Sequence, residues 1–261
     1  MKSKLGTIVV AVLIAGWSAP ARAETAADWE WAITPYLWGP STSLDVTVNN
    51  DPVIAADASF QDLLDKTDLA GLLHFEGQCE HAGFLVDAVY LSLGADQTNT
   101  ARPPLPGGTQ TAVDVKIGLY EAAGFYRVGG KGRGLDLIFG ARMFDYRSRL
   151  DATIPAPINA SASRGTDRNF IDAFGGVRYR TPIGERWDFV IRGDAGAGET
   201  DLSWSAIATF GVRLGKTDRY NLKLGWRYQE LDVTAEDTSQ NVEVESNLTL
   251  NGPFFGFAFK F

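Results

Sequence analysis

The chain has 261 residues, a formal net charge of −8, 28 glycines and a single cysteine, Cys79. A lone cysteine excludes an intramolecular disulfide and a C-x-x-C metal or redox site. The acidic balance argues against nucleic acid as a partner, because a phosphate backbone attracts a basic protein surface.

Residues 1–23 are predicted to be a secretory signal peptide. They contain two early lysines, an apolar stretch at 6–17 and an A-x-A cleavage site at 21–23. The apolar stretch is shorter than the roughly 20 residues that a spanning helix needs. Cleavage would remove three positive charges and leave residues 24–261 as one domain with a formal charge of −11. An exported chain of this kind can cross a membrane only as a closed β-barrel, because only helices and barrels satisfy their own backbone there.

Ten segments of the remaining chain alternate apolar with polar residues, the pattern of strands with one apolar and one charged face. The segments are 29–38, 69–80, 84–93, 113–128, 135–150, 169–181, 187–198, 203–214, 220–231 and 251–261. The pattern predicts an all-β, antiparallel up-and-down transmembrane β-barrel. We expect ten strands, with eight or twelve as the alternatives.

The connections between these segments support the same topology. If both chain ends face the periplasm, the turns that fall on that side are short, as in bacterial single-chain barrels. These turns are 81–83, 129–134, 182–186 and 215–219. The longer polar loops, at 94–111, 151–168 and 236–247, then all lie outside the cell.

Residues 39–68 form a predicted extracellular excursion between the first two segments. A candidate hairpin turns at 49–51, and 59–66 has a helix-like start. If the hairpin belonged to the barrel wall, the strand count would become twelve.

Two positions fit the strand pattern poorly. Pro35 donates no backbone hydrogen bond, so we expect a bulge or a locally unpaired position there. Glu121 shares a face with Ile117 and Leu119, and a charge that faces mid-bilayer lipid would cost a few kcal/mol, in order of magnitude. The sequence therefore predicts either a bulge near Leu119 or an apolar set that points inward.

The last segment places aromatic residues on alternate positions, at Phe255, Phe257, Phe259 and Phe261. A strand with this face needs lipid or protein to cover it. The segment resembles the terminal strand of bacterial outer-membrane barrels, which the barrel-assembly machinery recognises. The resemblance implies outer-membrane lipid and that machinery as partners. A strand buried in a soluble sandwich is the alternative.

The resemblance extends to TPYLW at 34–38, SFQDLL at 59–64 and HFEGQ at 74–78. Together with the signal and the last strand, these motifs resemble a broad set of proteobacterial outer-membrane barrels, small barrels of the OmpA and OmpW kind. The resemblance implies export to the outer membrane of a Gram-negative cell. It carries no agreed activity, so no catalytic residue is transferred.

The polar faces of the predicted strands carry charges of both signs that would meet in the lumen. This lumen charge cluster consists of Glu76, Asp87, Arg142, Asp172, Arg178, Asp188, Arg192, Asp194, Arg213, Lys223 and Arg227. If the charges pair across the lumen, they form a filled polar core, and the protein has a structural or small-solute binding role. If they line a wet passage, the protein is a narrow passive pore for small, anionic solutes. We favour the filled lumen, because ten strands make a barrel only slightly wider than eight, which side chains fill.

Enzyme hypotheses have less support in the sequence. Of the two histidines, His74 shares a polar face with Glu76 and His81 lies in a turn, so a lipid-modifying enzyme would need one of them and an unidentified serine. No G-x-S-x-G, H-E-x-x-H or P-loop pattern occurs, and the acidic spacing at 62–68 is not that of an EF-hand. We therefore expect no catalytic residue, metal or cofactor. A lipocalin-like periplasmic binder is the soluble alternative.

Overall fold

The computed structural model describes residues 29–49, 51–58, 61, 67–98, 110–129, 133–154, 160–215, 218–237 and 242–261. The predicted signal peptide lies outside these residues, as does the helix-like stretch at 59–66 apart from Gln61. Within the described ranges, no helix has the length and apolar character needed to cross a membrane.

Twelve strands occur in the described part of the chain. They are β1 (Glu30–Trp38), β2 (Ser41–Val48), β3 (Asp51–Ala58), β4 (Thr67–Gln78), β5 (Ala82–Thr98), β6 (Gln110–Val128), β7 (Gly134–Ile154), β8 (Ala160–Ile183), β9 (Trp187–Gly198), β10 (Leu202–Leu214), β11 (Tyr220–Asp237) and β12 (Val242–Lys260).

Ten of these strands close into an antiparallel barrel. From β4 to β12 each strand pairs with the next in the chain, and β1 pairs with β4 on one side and β12 on the other. The backbone of Phe261 completes the closure, because it exchanges hydrogen bonds of 3.0 and 3.2 Å with Trp31. The predicted all-β up-and-down barrel of ten strands is confirmed.

The predicted hairpin exists, but it lies outside the closed ring. β2 pairs with residues 244–251 of β12, above the stretch 254–260 that pairs with β1, and β3 pairs with β2. Asn49 turns the hairpin with a φ of 50°, a left-handed conformation that asparagine tolerates better than most residues. The hairpin therefore lengthens the wall at one end, and the count stays at ten.

The two ends of the barrel differ. One end, which we call the short-turn end, contains the start of β1, the end of β12 and the connections β4–β5, β6–β7, β8–β9 and β10–β11. At the other, the long-loop end, lie the β2–β3 hairpin and the connections β5–β6, β7–β8, β9–β10 and β11–β12.

The predicted loop at 151–168 is largely wrong, because β7 runs to Ile154 and β8 starts at Ala160. The loops at 94–111 and 236–247 are also shorter than predicted. β7 and β8 have 21 and 24 residues, about twice the 9–11 that cross a bilayer. The parts of β7 and β8 nearest their connecting loop are here called the extension. Continuous backbone pairing between the two strands holds the extension together although its residues favour loops.

Both awkward positions of the sequence have a structural explanation. Pro35 pairs with Leu73 of β4 but has no assigned partner on β12, while the register on either side is unbroken. It is a locally unpaired position, not a bulge. β6 pairs with both neighbours without a register shift, and Leu119 and Glu121 are both buried. The bulge alternative near Leu119 is wrong, and the apolar set points inward.

The outer face of the barrel is apolar. Large apolar side chains are exposed all around the outer face, among them Leu37, Leu73, Val86, Tyr126, Phe139, Ile171, Val177, Ile191, Phe210, Leu224 and Phe255. At the edges of this band, Trp187 and Tyr220 are exposed near the short turns, and Trp204 stacks on Tyr228 near the long loops, with ring centroids 4.5 Å apart. An apolar belt with aromatic edges is typical of a wall that faces hydrocarbon. A lipocalin-like binder would have the opposite arrangement.

Candidate functional site

All eleven residues of the lumen charge cluster face the barrel interior. Eight are buried, namely Glu76, Asp87, Arg142, Asp172, Arg178, Arg192, Asp194 and Arg227. The other three, Asp188, Arg213 and Lys223, line a cavity at the short-turn end. The structure therefore divides the cluster between a closed region and a cavity.

Arg178 connects one side of the wall to the other. Its Nη1 and Nη2 donate to the two oxygens of Glu76 on β4, at 2.8 and 3.2 Å, and its Nε donates to Asp136 on β7 at 2.7 Å. Arg180 also donates to Glu76, at 3.1 Å. Planar guanidinium groups bind carboxylates in this two-point geometry, which fixes orientation as well as charge.

Arg127 extends this network toward the short turns. Its Nε and Nη2 donate to both oxygens of Asp136 at 2.7 and 3.2 Å, and its Nη1 donates to Gln78 at 2.9 Å. Asp136 is fully buried, so its charge is neutralised only by Arg127 and Arg178. The three residues lie on β6, β7 and β8 and tie adjacent strands together.

Glu121 is the centre of a second network, one step toward the long loops. It accepts hydrogen bonds from Arg142 at 2.8 Å, Arg192 at 2.9 Å and Arg227 at 3.3 Å. Arg142 also donates to Asp194, and Arg192 forms an ion pair with Asp194 at 2.7 Å. The N–H of that Arg192 Nε does not point at the carboxylate, so this contact is an ion pair without a hydrogen bond.

His74 joins the two networks. Its Nδ1 lies 3.2 Å from Asp87 and its Nε2 lies 3.5 Å from Glu76. Asp87 also accepts hydrogen bonds of 2.9 Å from Arg227 and from the hydroxyl of Tyr36. The imidazole thus bridges two carboxylates that arginines already hold.

We call these connected side chains the ion-pair layer. It contains Glu76, Asp87, Glu121, Asp136, Asp194, Arg127, Arg142, Arg178, Arg180, Arg192 and Arg227, linked through His74. Five carboxylates against six guanidiniums leave it almost neutral. Aromatic rings cover the arginines: Arg127 and Arg178 lie over Phe125, at 5.3 and 4.5 Å from its ring centre. Such pairing and stacking offset the cost of removing these charges from water.

The predicted lumen charge cluster does not include Glu121, Arg127, Asp136 and Arg180, although these residues belong to the ion-pair layer. Asp136 and Arg180 share the parity of Arg142 and Arg178 on their strands. Glu121 and Arg127 lie on β6. The apolar residues of this strand point inward, whereas the apolar face of a barrel strand is expected to point outward. Arg127 lies on the same face of β6 as Glu121, and this shared face was the sequence signal that could have identified both residues.

Asp172 is buried apart from these networks. It accepts hydrogen bonds from the backbone N–H and the hydroxyl of Thr200, at 3.0 and 2.6 Å. Its contacts anchor the tight connection between β9 and β10 to β8. This residue therefore has a local structural role.

An apolar cluster fills the lumen on the long-loop side of the ion-pair layer. We call it the apolar plug, and it consists of Trp38, Leu72, Val89, Ile117, Leu119, Phe144, Leu231 and Leu250. Phe254 and Phe170 pack against it. Of this cluster, the sequence indicates only the inward set around Ile117 and Leu119 on β6, as one of two alternatives, because the alternation of the other segments predicts apolar residues outside and polar residues inside.

A wide cavity lies on the opposite side of the ion-pair layer, at the short-turn end. Its volume is about 290 Å³, and basic side chains from four strands and one turn line it together with Glu30, Glu76 and Asp188. A smaller cavity of about 110 Å³ lies beside Tyr36, His74 and Arg227. Solvent therefore has room at the short-turn end and in a small space within the ion-pair layer, and the plug lies on the far side of that layer.

The surroundings of His74 do not form a nucleophile–base pair. Its hydrogen-bond and ion-pair partners among the described residues are the carboxylates of Glu76 and Asp87; Thr34 lies opposite it on β1, but the Thr34 hydroxyl makes no hydrogen bond with it. Cys79 is buried, and its thiol donates to the carbonyl of Ala82 at 3.2 Å. Among all the residues that the structure describes, no group of histidine, cysteine, aspartate and glutamate side chains has an arrangement that could hold a metal ion.

Comparisons with known proteins identify the fold. No family model and no curated protein matches the chain. Among solved structures it is similar to the outer-membrane protease OmpT from Escherichia coli, with a TM-score of 0.50 and 8% identity over 91% of this chain and 98% of that chain. The transport unit of the autotransporter AIDA-I from Escherichia coli has a TM-score of 0.39 and 8% identity, over 94% of both chains. At such identities a likeness shows the fold alone, and the protein has the fold of the proteobacterial outer-membrane β-barrels.

Proposed function

We propose that the protein is an outer-membrane barrel with a closed lumen and a structural or small-solute binding role. In this proposal the short-turn end faces the periplasm and the long-loop end faces outward, as in bacterial single-chain barrels. The exposed apolar belt meets lipid, and the extension of β7 and β8 stands above it.

The observation that carries the proposal is that two different barriers fill the lumen in series. An ion would have to separate the buried pairs around Glu121 and Glu76 and then cross the apolar plug. Breaking buried pairs leaves uncompensated charges, and an apolar constriction excludes water. Both features oppose the alternative of a narrow passive pore.

Planar-bilayer conductance tests the closed lumen. We expect the wild type to give no steady single-channel current. Replacing Arg178 and Arg192 by alanine leaves the plug, and replacing Leu119 and Phe144 by alanine leaves the ion-pair layer, so each double variant should stay closed. The combined variant removes parts of both barriers and should conduct. A steady current through the wild type would contradict the proposal.

We also propose that the protein is not an enzyme. OmpT is a protease, but a fold shared at 8% identity does not transfer an activity. The contacts of His74 with two arginine-bound carboxylates favour a role in joining the networks. Hydrolysis of peptide or lipid substrates by the refolded protein, lost in His74→Ala, would contradict this part of the proposal.

The last strand is proposed to bind the barrel-assembly machinery. Phe255, Phe259 and Phe261 are exposed on the outer face, and Phe257 packs on Phe259 with ring centroids 4.9 Å apart. We expect deletion of Phe261 to lower the yield of folded protein in the membrane, whereas Phe139→Leu changes an exposed outer-face residue of β7, outside the last strand, and serves as the control. Equal yields of both variants would argue against this role.

A further inference from the structure

The cavity at the short-turn end has more basic than acidic lining residues. Its cations are Arg133, Arg180, Arg213, Lys223 and Lys260, and its carboxylates are Glu30, Glu76 and Asp188. With a volume of about 290 Å³, the cavity is at the small end of ligand sites in proteins. Size and charge together favour a small anion.

The carboxylates of the cavity already have partners. Glu76 is held by Arg178 and Arg180, Glu30 lies 3.2 Å from Lys260, and Asp188 accepts a hydrogen bond of 2.7 Å from Asn221. The charges of Glu76 and Glu30 are therefore neutralised within the wall, whereas Asp188 has a hydrogen bond from a neutral amide and no ion pair among the described residues. Among the cations, Arg180, Lys260 and Arg213 have ion pairs with Glu76, Glu30 and Asp218, whereas Lys223 and Arg133 have none among the described residues.

Lys223 is the clearest case of an unmatched cation. It lies on β11 and lines both the wide cavity and the smaller one behind it. No hydrogen bond or ion pair joins its ammonium group to another residue in the described ranges. A partly buried ammonium without a partner is costly unless an anion or water occupies the cavity beside it.

Unsatisfied polar atoms around the same cavity give a second, independent observation. Four buried polar atoms without a hydrogen-bond partner belong to its lining residues, namely Thr34 Oγ1, Arg180 Nε, Arg213 Nε and Asn221 Oδ1. Thr34 and Asn221 are only 5% and 4% exposed. Buried polar groups are normally hydrogen-bonded to protein or water, so the grouping of these atoms around one cavity favours a polar occupant.

We propose that this cavity binds a small solute that carries a phosphate or carboxylate group and a hydroxyl group. Lys223, Arg180 and Arg213 would bind the oxyanion by charge-assisted hydrogen bonds, and Thr34 and Asn221 would bind the hydroxyl group. The inference rests on the proposed closed lumen, because closure makes the cavity a site with a periplasmic mouth and not a segment of a passage.

Isothermal titration calorimetry, which measures the heat of binding, tests the site with three probes on the full-length protein refolded in detergent. Inorganic phosphate presents the oxyanion alone, glycerol 3-phosphate presents both groups, and glycerol presents hydroxyl groups alone. We expect saturable binding of the two phosphates, tighter for glycerol 3-phosphate, and none of glycerol. Raising the salt concentration should weaken binding, because the attraction is partly electrostatic and screened.

Two variants and one control locate the binding. Lys223→Met should weaken the affinity for glycerol 3-phosphate at least about tenfold, a change of about 1.4 kcal/mol. Lys116→Met removes the same charge from an exposed position near the long loops and should leave the affinity unchanged. If Lys223→Met fails to fold, judged by its mobility with and without heating, Arg213→Gln replaces it with an expected loss of several-fold.

Two outcomes would overturn the inference. One is the absence of saturable binding of either phosphate, which would mean that the cavity holds water only. The other is an affinity that is equal in the wild type and in the folded variants. The conductance experiment separates the two proposals: a closed barrel that does not bind phosphate overturns only this inference, whereas a conducting wild type overturns the closed lumen.

Discussion

The ion-pair layer and the apolar plug occupy neighbouring levels of one lumen and differ in the kind of contact that holds each together. On β6, Glu121 belongs to the layer and Leu119 to the plug; on β5, Asp87 belongs to the layer and Val89 to the plug. In each case the two residues are two positions apart and share a face of the strand. The backbone is the same, so the difference comes from side-chain chemistry alone.

The two regions differ in how strongly their contacts specify the arrangement of the wall. Contacts in the layer are directional and join strands that are far apart in the chain: Arg178 binds Glu76 across 102 positions, and Arg227 binds Asp87 across 140. The plug is held by non-directional burial, which tolerates swaps that conserve volume. We therefore expect the layer to be sensitive to chemistry and the plug to be sensitive mainly to volume.

The largest effect is expected from Glu121→Gln, which keeps the shape and removes the charge. Three arginines would lose their shared acceptor charge, and breaking buried pairs in this way costs about 3–5 kcal/mol. Denaturant unfolding of the refolded protein measures the change. Glu80→Gln, at an exposed position in a turn, is the matched control and should lie within about 0.5 kcal/mol of the wild type. A small loss at Glu121 would mean that the layer does not hold the wall.

Next in size is the effect of crowding the layer at Gly176. A Cβ there would lie 2.4 Å from the Cβ of Asp194 and 2.4 Å from the carbonyl oxygen of Gly193, so backbone must move. Overpacking of this kind costs about 1–3 kcal/mol, which Gly176→Ala should show in the same unfolding assay. Gly193→Ala is the control on the outer face, where a Cβ meets nothing within 4 Å. Equal stability of the two variants would show that the layer can relax.

A smaller effect is expected for Leu119→Met in the plug. Leu119 is 1% exposed, but the substitution conserves volume, and such swaps usually cost less than about 1.5 kcal/mol. The comparison with Glu121→Gln is direct, because both substitutions conserve shape at consecutive inward positions of one strand. A loss at Leu119 as large as that at Glu121 would remove the distinction between the two regions.

The sequence predicts the barrel well because alternation is a local signal. The strand order, the parity of Arg142 and Arg178 and the hairpin at 49–51 all follow from residues close together in the chain. The ends of β7 and β8 do not, because backbone pairing across the ladder extends them through residues that favour loops.

The content of the lumen is harder to predict, because it depends on contacts across the barrel. A strand pattern shows which residues share a face, but not which level of the lumen each residue reaches. That is why Glu121, with apolar neighbours on its own face, fits the strand pattern poorly, and why the sequence gives an inward position of the plug residues Ile117 and Leu119 as only one of two alternatives. Once three arginines from β7, β9 and β11 meet Glu121, its position is explained.

The smallest effect is expected from Arg147→Gln on β7, in the extension beyond the plug. Arg147 pairs with Asp145 at 3.1 Å and with Asp167 at 3.5 Å, but its side chain is 58% exposed. Exposed pairs contribute about 0–1 kcal/mol and are screened by salt, so the variant should unfold within about 0.5 kcal/mol of the wild type. Arg142→Gln, five positions earlier on the same strand, is the internal comparison, because it leaves Glu121 and Asp194 with fewer partners in a buried site. If the two arginine variants lost equal stability, burial would not be what makes the charges of the layer matter, and the contrast between the interior and the extension would fail.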